Sequence, residues 1–322
     1  MWIEILLLIA GLVLVILGAD WLVDGASAIA RKLKISEFVI GLTIVGFGTS
    51  CPELVVSLTG ALQGNADISV GNVVGSNIFN TLLILGLTSL VSPIAITRTN
   101  KRRDIPVTLA VTFLFAACAM SYSFFGIGGA DDLKRVEGIV FLVLFVLYIY
   151  FCFRTGKAAP DENSDEAPAK EIKTWLAILL TIAGLVALIA GGRLFVDNAV
   201  EVAHRLGVSD KFIAITLLAG GTSLPELAAC VVAAAKKKGQ LALGNILGSN
   251  VFNILLILGT SAVVTPLSIQ GINLVDIAAL LISIVFVMLS SYTFKKNCID
   301  RWEGAIFVLT FIAYYTWLFI NL

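Results

Sequence analysis

"GNVVGSNIFNTLLILGLTSLVSP", residues 71–93, returns as "GNILGSNVFNILLILGTSAVVTP", residues 244–266. The offset is 173 residues, without a gap. The same offset carries "GLTIVGFGTSCPEL" (41–54) onto "AITLLAGGTSLPEL" (214–227), and Asp24 onto Asp197. The chain is therefore an internal duplication, and the architecture must accommodate two copies of one unit.

Composition says where that unit lives. Of 322 residues, 58% are hydrophobic and only 14% charged. A soluble domain sits near about 45–50% apolar and about 25% charged. Ten apolar runs, near 2–28, 37–63, 69–92, 105–126, 133–153, 174–200, 210–235, 242–264, 273–293 and 301–320, reach the roughly 20 residues that cross a bilayer as a helix. The alternation of an outer-membrane strand is missing from them. The expected fold is an all-α membrane protein of ten transmembrane helices. The first run has no basic leader or clean cleavage site and is expected to be retained. Net charge is zero, which implies neither nucleic acid nor any other strongly charged partner.

Ten spans and a duplication give five spans per copy, an odd number. The second copy must then enter from the opposite side, as an inverted-topology repeat whose site lies at the repeat interface near the midplane. The expected organisation is a first repeat at 1–154, a short acidic linker at 155–172 and a second repeat at 173–322. The linker carries Asp161, Glu162, Asp165 and Glu166 and has no room for a large regulatory domain. Seventeen of the 22 Lys and Arg residues fall in loops after the odd-numbered spans, among them Arg102, Arg103 and Lys236–Lys238. The opposite face keeps Lys134, Arg135, Arg205 and Lys211. The positive-inside rule places the basic face in the cytoplasm and both termini outside a cytoplasmic membrane.

Two acids sit where lipid-buried chain is expected. Glu53 follows Pro52, and Glu226 follows Pro225, at matched positions of the two copies. A carboxylate at a helix centre costs roughly 2.5–3.5 kcal/mol on insertion scales, so such residues face a partner or a cavity. The inverted repeat would bring the two acids together, and facing carboxylates repel unless they share protons or a cation. Each proline removes an N–H and frees a carbonyl one turn back. Carboxylate and carbonyl oxygens are the ligands of hard cations. Thr49, Glu53 and Ser57 share one helical face. Asn72, Ser76 and Asn80 form a second stripe. Thr222–Glu226 and Asn245–Ser249–Asn253 repeat the pattern. Gly71/Gly75 and Gly244/Gly248 are small-xxx-small pairs suited to close helix approach.

"GTSCPEL" and "GTSLPEL", each followed by "GNxxGSNxFN", resemble the α-repeats of the calcium/cation antiporter superfamily, and specifically its prokaryotic sodium/calcium exchangers. The resemblance covers nearly the whole chain. It implies antiport of Ca2+ against Na+, with no cofactor and no enzymatic activity. It implies Ca2+ ligands from Glu53, Glu226, Thr49 and Thr222. Sodium sites would combine those glutamates with Ser50, Ser76, Ser223, Ser249 and the carbonyls of Gly46 and Ala219. Asn80 and Asn253 would line the middle, and spans 1 and 6 would slide across the core. Three features depart from the family pattern or bear on coupling. Asn253 stands where many members carry aspartate, against potassium coupling. Cys51 replaces a leucine. No acid follows Asn72 or Asn245, which favours sodium over the proton-coupled branch.

Rival readings are a proton/calcium antiporter and a passive cation channel. Two acids in a pseudo-symmetric single chain fit an exchanger better than a ring of charges. The five cysteines, Cys51, Cys118, Cys152, Cys230 and Cys298, show no paired spacing and read as packing residues. A single histidine, His204, makes a transition-metal site unexpected. Arg193 and Asp197 lie one turn apart and suggest a local ion pair, with Asp20 equivalent to Arg193 in the first copy.

Overall fold

A computed structural model describes residues 2–126, 130–156, 172–207, 219–269, 271–293 and 297–321. The described residues are mainly helical, with four two-residue strands among them. Six of the described helices are long and apolar enough to cross a membrane, and a seventh span forms if Glu37–Thr49 and Cys51–Leu62, bent by 48°, are taken together. Two shorter apolar helices, Leu224–Ala235 and Leu274–Ser290, accompany them. Part of the run expected at 210–235, and nearly all of the expected linker, lie outside the described residues.

Two helices of 32 residues, Trp2–Leu33 and Thr174–Arg205, start the two copies. Neither contains proline, and glycine recurs every seven residues at 11, 18 and 25, and at 184 and 191. A heptad-like spacing keeps those glycines on one face. The faces meet backbone to backbone: a Cβ at Gly18 would lie 2.8 Å from Leu188 N and 2.9 Å from Gly184 O. A Cβ at Gly184 would lie 2.6 Å from Leu22 N. This is the close approach that small residues permit between helices in lipid. The remaining faces carry exposed Leu6, Ile9, Val13, Trp175 and Ile182, as a lipid-facing surface requires.

The core elements repeat in register. Cys51–Leu62 matches Leu224–Ala235, and Ala66–Ile78 matches Gly239–Val251, both at the 173 offset. Each of the latter pair runs into a π-helical turn, Phe79–Ile84 and Phe252–Leu258. Gly239–Val251 is deeply buried and is pressed onto the start of the second span. A Cβ on Gly244 would strike the Phe38 carbonyl, and one on Gly248 the Leu42 carbonyl. The second small-xxx-small pair is thus used as expected. The counterpart of Phe38–Leu42 opposite Gly71 and Gly75 falls at 211–215, outside the described residues.

The two copies are interlaced. Ile94–Ala95 pairs antiparallel with Cys298–Ile299, and Asp132–Leu133 with Leu267–Ser268. Each ladder joins one strand from each copy. The last helices cross over as well. Gly138 on Arg135–Thr155 abuts the Gly259 carbonyl, and Gly304 on Arg301–Asn321 abuts the Gly86 carbonyl, each with a virtual Cβ distance of 2.8 Å. Gly86 and Gly259 are themselves equivalent at the 173 offset.

Candidate functional site

Both proline-led helices begin at a serine with near-zero ψ, Ser50 (φ −82°, ψ 6°) and Ser223 (φ −89°, ψ 7°). This bridge-region geometry breaks the preceding helix and lets proline sit in the next one's first turn, where a missing N–H costs nothing. Glu53 and Glu226 follow in the same first turns. A helix N-terminus carries partial positive charge, so it favours the carboxylate that it positions.

The break turns each serine across the repeat interface. Ser50 Oγ donates to Glu226 Oε1 at 3.1 Å, and Ser223 Oγ donates to Glu53 Oε1 at 3.0 Å. These are one contact made twice, since both serines and both glutamates are related by the 173 offset. Each glutamate is 1% exposed, and in each the second oxygen, Oε2, has no hydrogen-bond partner. Ser223 Oγ also lies 3.3 Å from Ser76 Oγ. Thr49 Oγ1 donates to the Val45 carbonyl at 3.0 Å and lies 3.2 Å from Asn245 Oδ1.

The remaining side-chain candidates have buried oxygens to spare. Thr222 Oγ1, Ser249 Oγ, Asn80 Oδ1 and Asn253 Oδ1 all lack a partner. Buried polar atoms are normally satisfied, and leaving one bare costs on the order of 1–3 kcal/mol. Here six such atoms belong to residues already singled out by motif, and all six are oxygens. Every one of them can accept, and with two carboxylates among them the set suits a desolvated hard cation. The Gly46 carbonyl accepts the Ser50 N–H at 3.1 Å and, more weakly, the Thr49 hydroxyl at 3.4 Å. Ala219 opens the short helix Ala219–Gly221, whose preceding residues 208–218 are outside the described set.

Some polar residues of the stripes serve as braces. Asn72 Nδ2 donates to Ser57 Oγ at 2.9 Å and to the Glu53 carbonyl at 3.2 Å. Asn245 Nδ2 reaches Cys230 Sγ at 3.2 Å, the same brace in the other copy with sulfur for oxygen. Asn77 and Asn250, the asparagines of the two "GSN" triplets, also bond across the interface. They escape a reading by i,i+4 stripes because they lie one residue off them. Among the described residues no ion pair joins Arg193 to Asp197. Asp20 and Asp24 instead share Lys236, at 2.7 and 2.6 Å, tying the first long helix to the end of Leu224–Ala235.

The chain is similar to known proteins over most of its length. The family model described as sodium/calcium exchanger protein matches residues 3–154 and 176–320. The sodium/calcium exchanger MaX1 of Methanosarcina acetivorans is 34% identical, over 98% of this chain and 99% of its own. The inner membrane protein YrbG of Escherichia coli is 36% identical over 88% of this chain and 87% of its own. A solved structure of the sodium–calcium exchanger NCX_Mj, soaked with 10 mM Na+ and no Ca2+, superposes with a TM-score of 0.83 at 34% identity. That alignment covers 96% of this chain and 97% of NCX_Mj. With both copies inside one family model and relatives matched end to end, the chain belongs to the sodium/calcium exchanger protein family.

Proposed function

We propose that this protein is a secondary active antiporter that exchanges Ca2+ for Na+ across the cytoplasmic membrane by alternating access. The observation that carries the reading is the crossed serine–glutamate pair, with a bare Oε2 on each of Glu53 and Glu226. Two carboxylates set a charge of −2 when ionised, which one Ca2+ neutralises. Sodium competes for the same oxygens. The exchange is obligatory for a simple reason: an unloaded site would have to carry two uncompensated charges past apolar surface, at several kcal/mol each. Only a loaded site moves cheaply.

In this reading Glu53, Glu226, Thr49 and Thr222 hold Ca2+. Sodium takes the glutamates with Ser50, Ser76, Ser223, Ser249 and the Gly46 and Ala219 carbonyls, while Asn80 and Asn253 line the centre. The chain has ten spans as two inverted five-helix repeats, 1–154 and 173–322, joined by a cytoplasmic linker, with both termini outside. The two long helices move as one body, because their glycine seam leaves no slack between them. Near the proline breaks their contacts with the core are small and apolar, Gly192 against Pro225 and Leu185 against Gly48, which supports sliding, and the Lys236 pairs with Asp20 and Asp24 would have to part or follow.

Purified protein in proteoliposomes decides the matter. An outward Na+ gradient, with Na+ loaded inside, should drive 45Ca2+ uptake against its own gradient. Uptake that follows a pH gradient and ignores Na+ would replace this reading with proton coupling. Downhill Ca2+ flux insensitive to both gradients would replace it with a channel.

A further inference from the structure

Between the two copies runs a short relay of amides that begins at an atom able only to accept. Asn77 Nδ2 donates to the backbone carbonyl of Asn250 at 3.2 Å. A carbonyl has no proton to return, so the Asn77 amide is locked with its nitrogen toward Asn250. Its oxygen must then face the other way, and it accepts from Asn253 Nδ2 at 2.9 Å. That contact orients the second amide in turn: nitrogen toward Asn77, oxygen away from it. The oxygen so turned, Asn253 Oδ1, is one of the partnerless acceptors of the site. Asn77 and Asn253 are 1% and 0% exposed, so bulk solvent offers neither amide another partner.

The relay is one-sided, and the sequence says why. At the 173 offset Asn77 corresponds to Asn250 and Asn80 to Asn253, so strict symmetry would pair Asn80 with Asn250. Instead Asn250 Nδ2 donates to Thr81 Oγ1 at 2.7 Å. The counterpart of Thr81 is Ile254, which has no hydroxyl to compete for Asn77. One threonine therefore diverts Asn250, and only Asn253 receives an amide brace.

We infer that Asn77 is a positioning residue for the transported cation, holding the Asn253 amide so that its carbonyl oxygen, and not its NH2 group, is presented to the ion. The inference rests on the exchange reading above and deepens it. A neutral amide is a cation ligand in one orientation and a repulsive group in the other. A residue that touches no ion thus decides which one the ion meets. A plain interhelical staple would do something different: it would stabilise the fold and leave ion affinity alone.

A double-variant cycle separates the two roles. Wild type, Asn77→Ala, Asn253→Ala and the double variant are compared for Na+-driven 45Ca2+ uptake and, in detergent, for equilibrium 45Ca2+ binding. Asn77→Ala should raise the KM for Ca2+ by about tenfold while changing the maximal rate by less than about threefold. In the Asn253→Ala background the same substitution should cost nothing further, because the group it acts through is gone. If Asn77→Ala does not fold, Asn77→Leu removes the relay at similar volume and carries the same expectation. An unchanged KM, or effects that multiply in the double variant, would overturn the inference. Wild type that binds Ca2+ without Na+-driven uptake would overturn the exchange reading, while the binding cycle would still decide the role of Asn77. Wild type that does neither overturns both.

Discussion

Each acid at the centre has a serine from the opposite copy on one oxygen and nothing on the other, so the carboxylates are held but not satisfied. Glu53→Gln or Glu226→Gln should abolish Ca2+ exchange in protein that still elutes as a folded species. Each amide removes one of two anionic ligands at nearly constant shape. Exchange at a near wild-type rate in either variant would sink the shared site. Ser50→Ala should be milder. It deletes one donor to a charged acceptor, a contact of about 1.5–3 kcal/mol, and Ca2+ affinity should shift by at least about tenfold in a binding assay. No shift would mean that Ser50 only shapes the bend. Glu53 and Glu226 were legible in the sequence because a carboxylate in an apolar run has few bland explanations. Asn77 was not. Its role depends on which way an amide faces, and that is settled by a backbone carbonyl 173 positions away.

At the level of elements, the proline breaks and the glycine seam do separate jobs. Pro225→Ala restores an N–H in the first turn of Leu224–Ala235 and lets the chain close toward a continuous helix. Glu226 would turn relative to Thr222, and Ca2+ affinity should fall by about tenfold, or roughly 1.4 kcal/mol. Unchanged binding would reduce the proline to packing. Gly18→Ala places a methyl within 2.9 Å of the Leu188 nitrogen and the Gly184 carbonyl, which are backbone atoms that cannot step aside. The long helices must part, and overpacking of this kind costs about 1–3 kcal/mol. The thermal midpoint in detergent should drop measurably, whereas an unaltered midpoint would show the seam to be looser than drawn. The breaks could be read from Pro-Glu next to Gly-Thr-Ser. The π-helical turns at Phe79–Ile84 and Phe252–Leu258 could not, because nothing in "FNTLLI" or "FNILLIL" distinguishes a five-residue hydrogen-bond step from a four-residue one.

For the molecule as a whole, charge bookkeeping and connectivity matter most. With Asn253 neutral, the two acids are the only anionic candidates in the site, and three Na+ per Ca2+ would move one net positive charge each cycle. Inward movement of that charge with Na+ means that an inside-negative potential should speed Na+-coupled Ca2+ extrusion. One charge across 100 mV is worth about 2.3 kcal/mol. Vesicles clamped with valinomycin would show it, and flux that needs Na+ but ignores voltage would set the ratio at two to one. The duplication and its 173-residue register were plain in the sequence, since the motifs align without a gap. The exchange of strands and closing helices between the copies was not, because two-residue ladders leave no periodic signature. That exchange has a consequence for synthesis. Ile94 leaves the ribosome about two hundred residues before its partner Ile299. At roughly 5–20 residues per second, the first copy waits in the bilayer on the order of 10–40 s without the pieces that complete it. The newborn protein cannot mature one half at a time; the edge at Ile94 closes only after most of the second copy has been made.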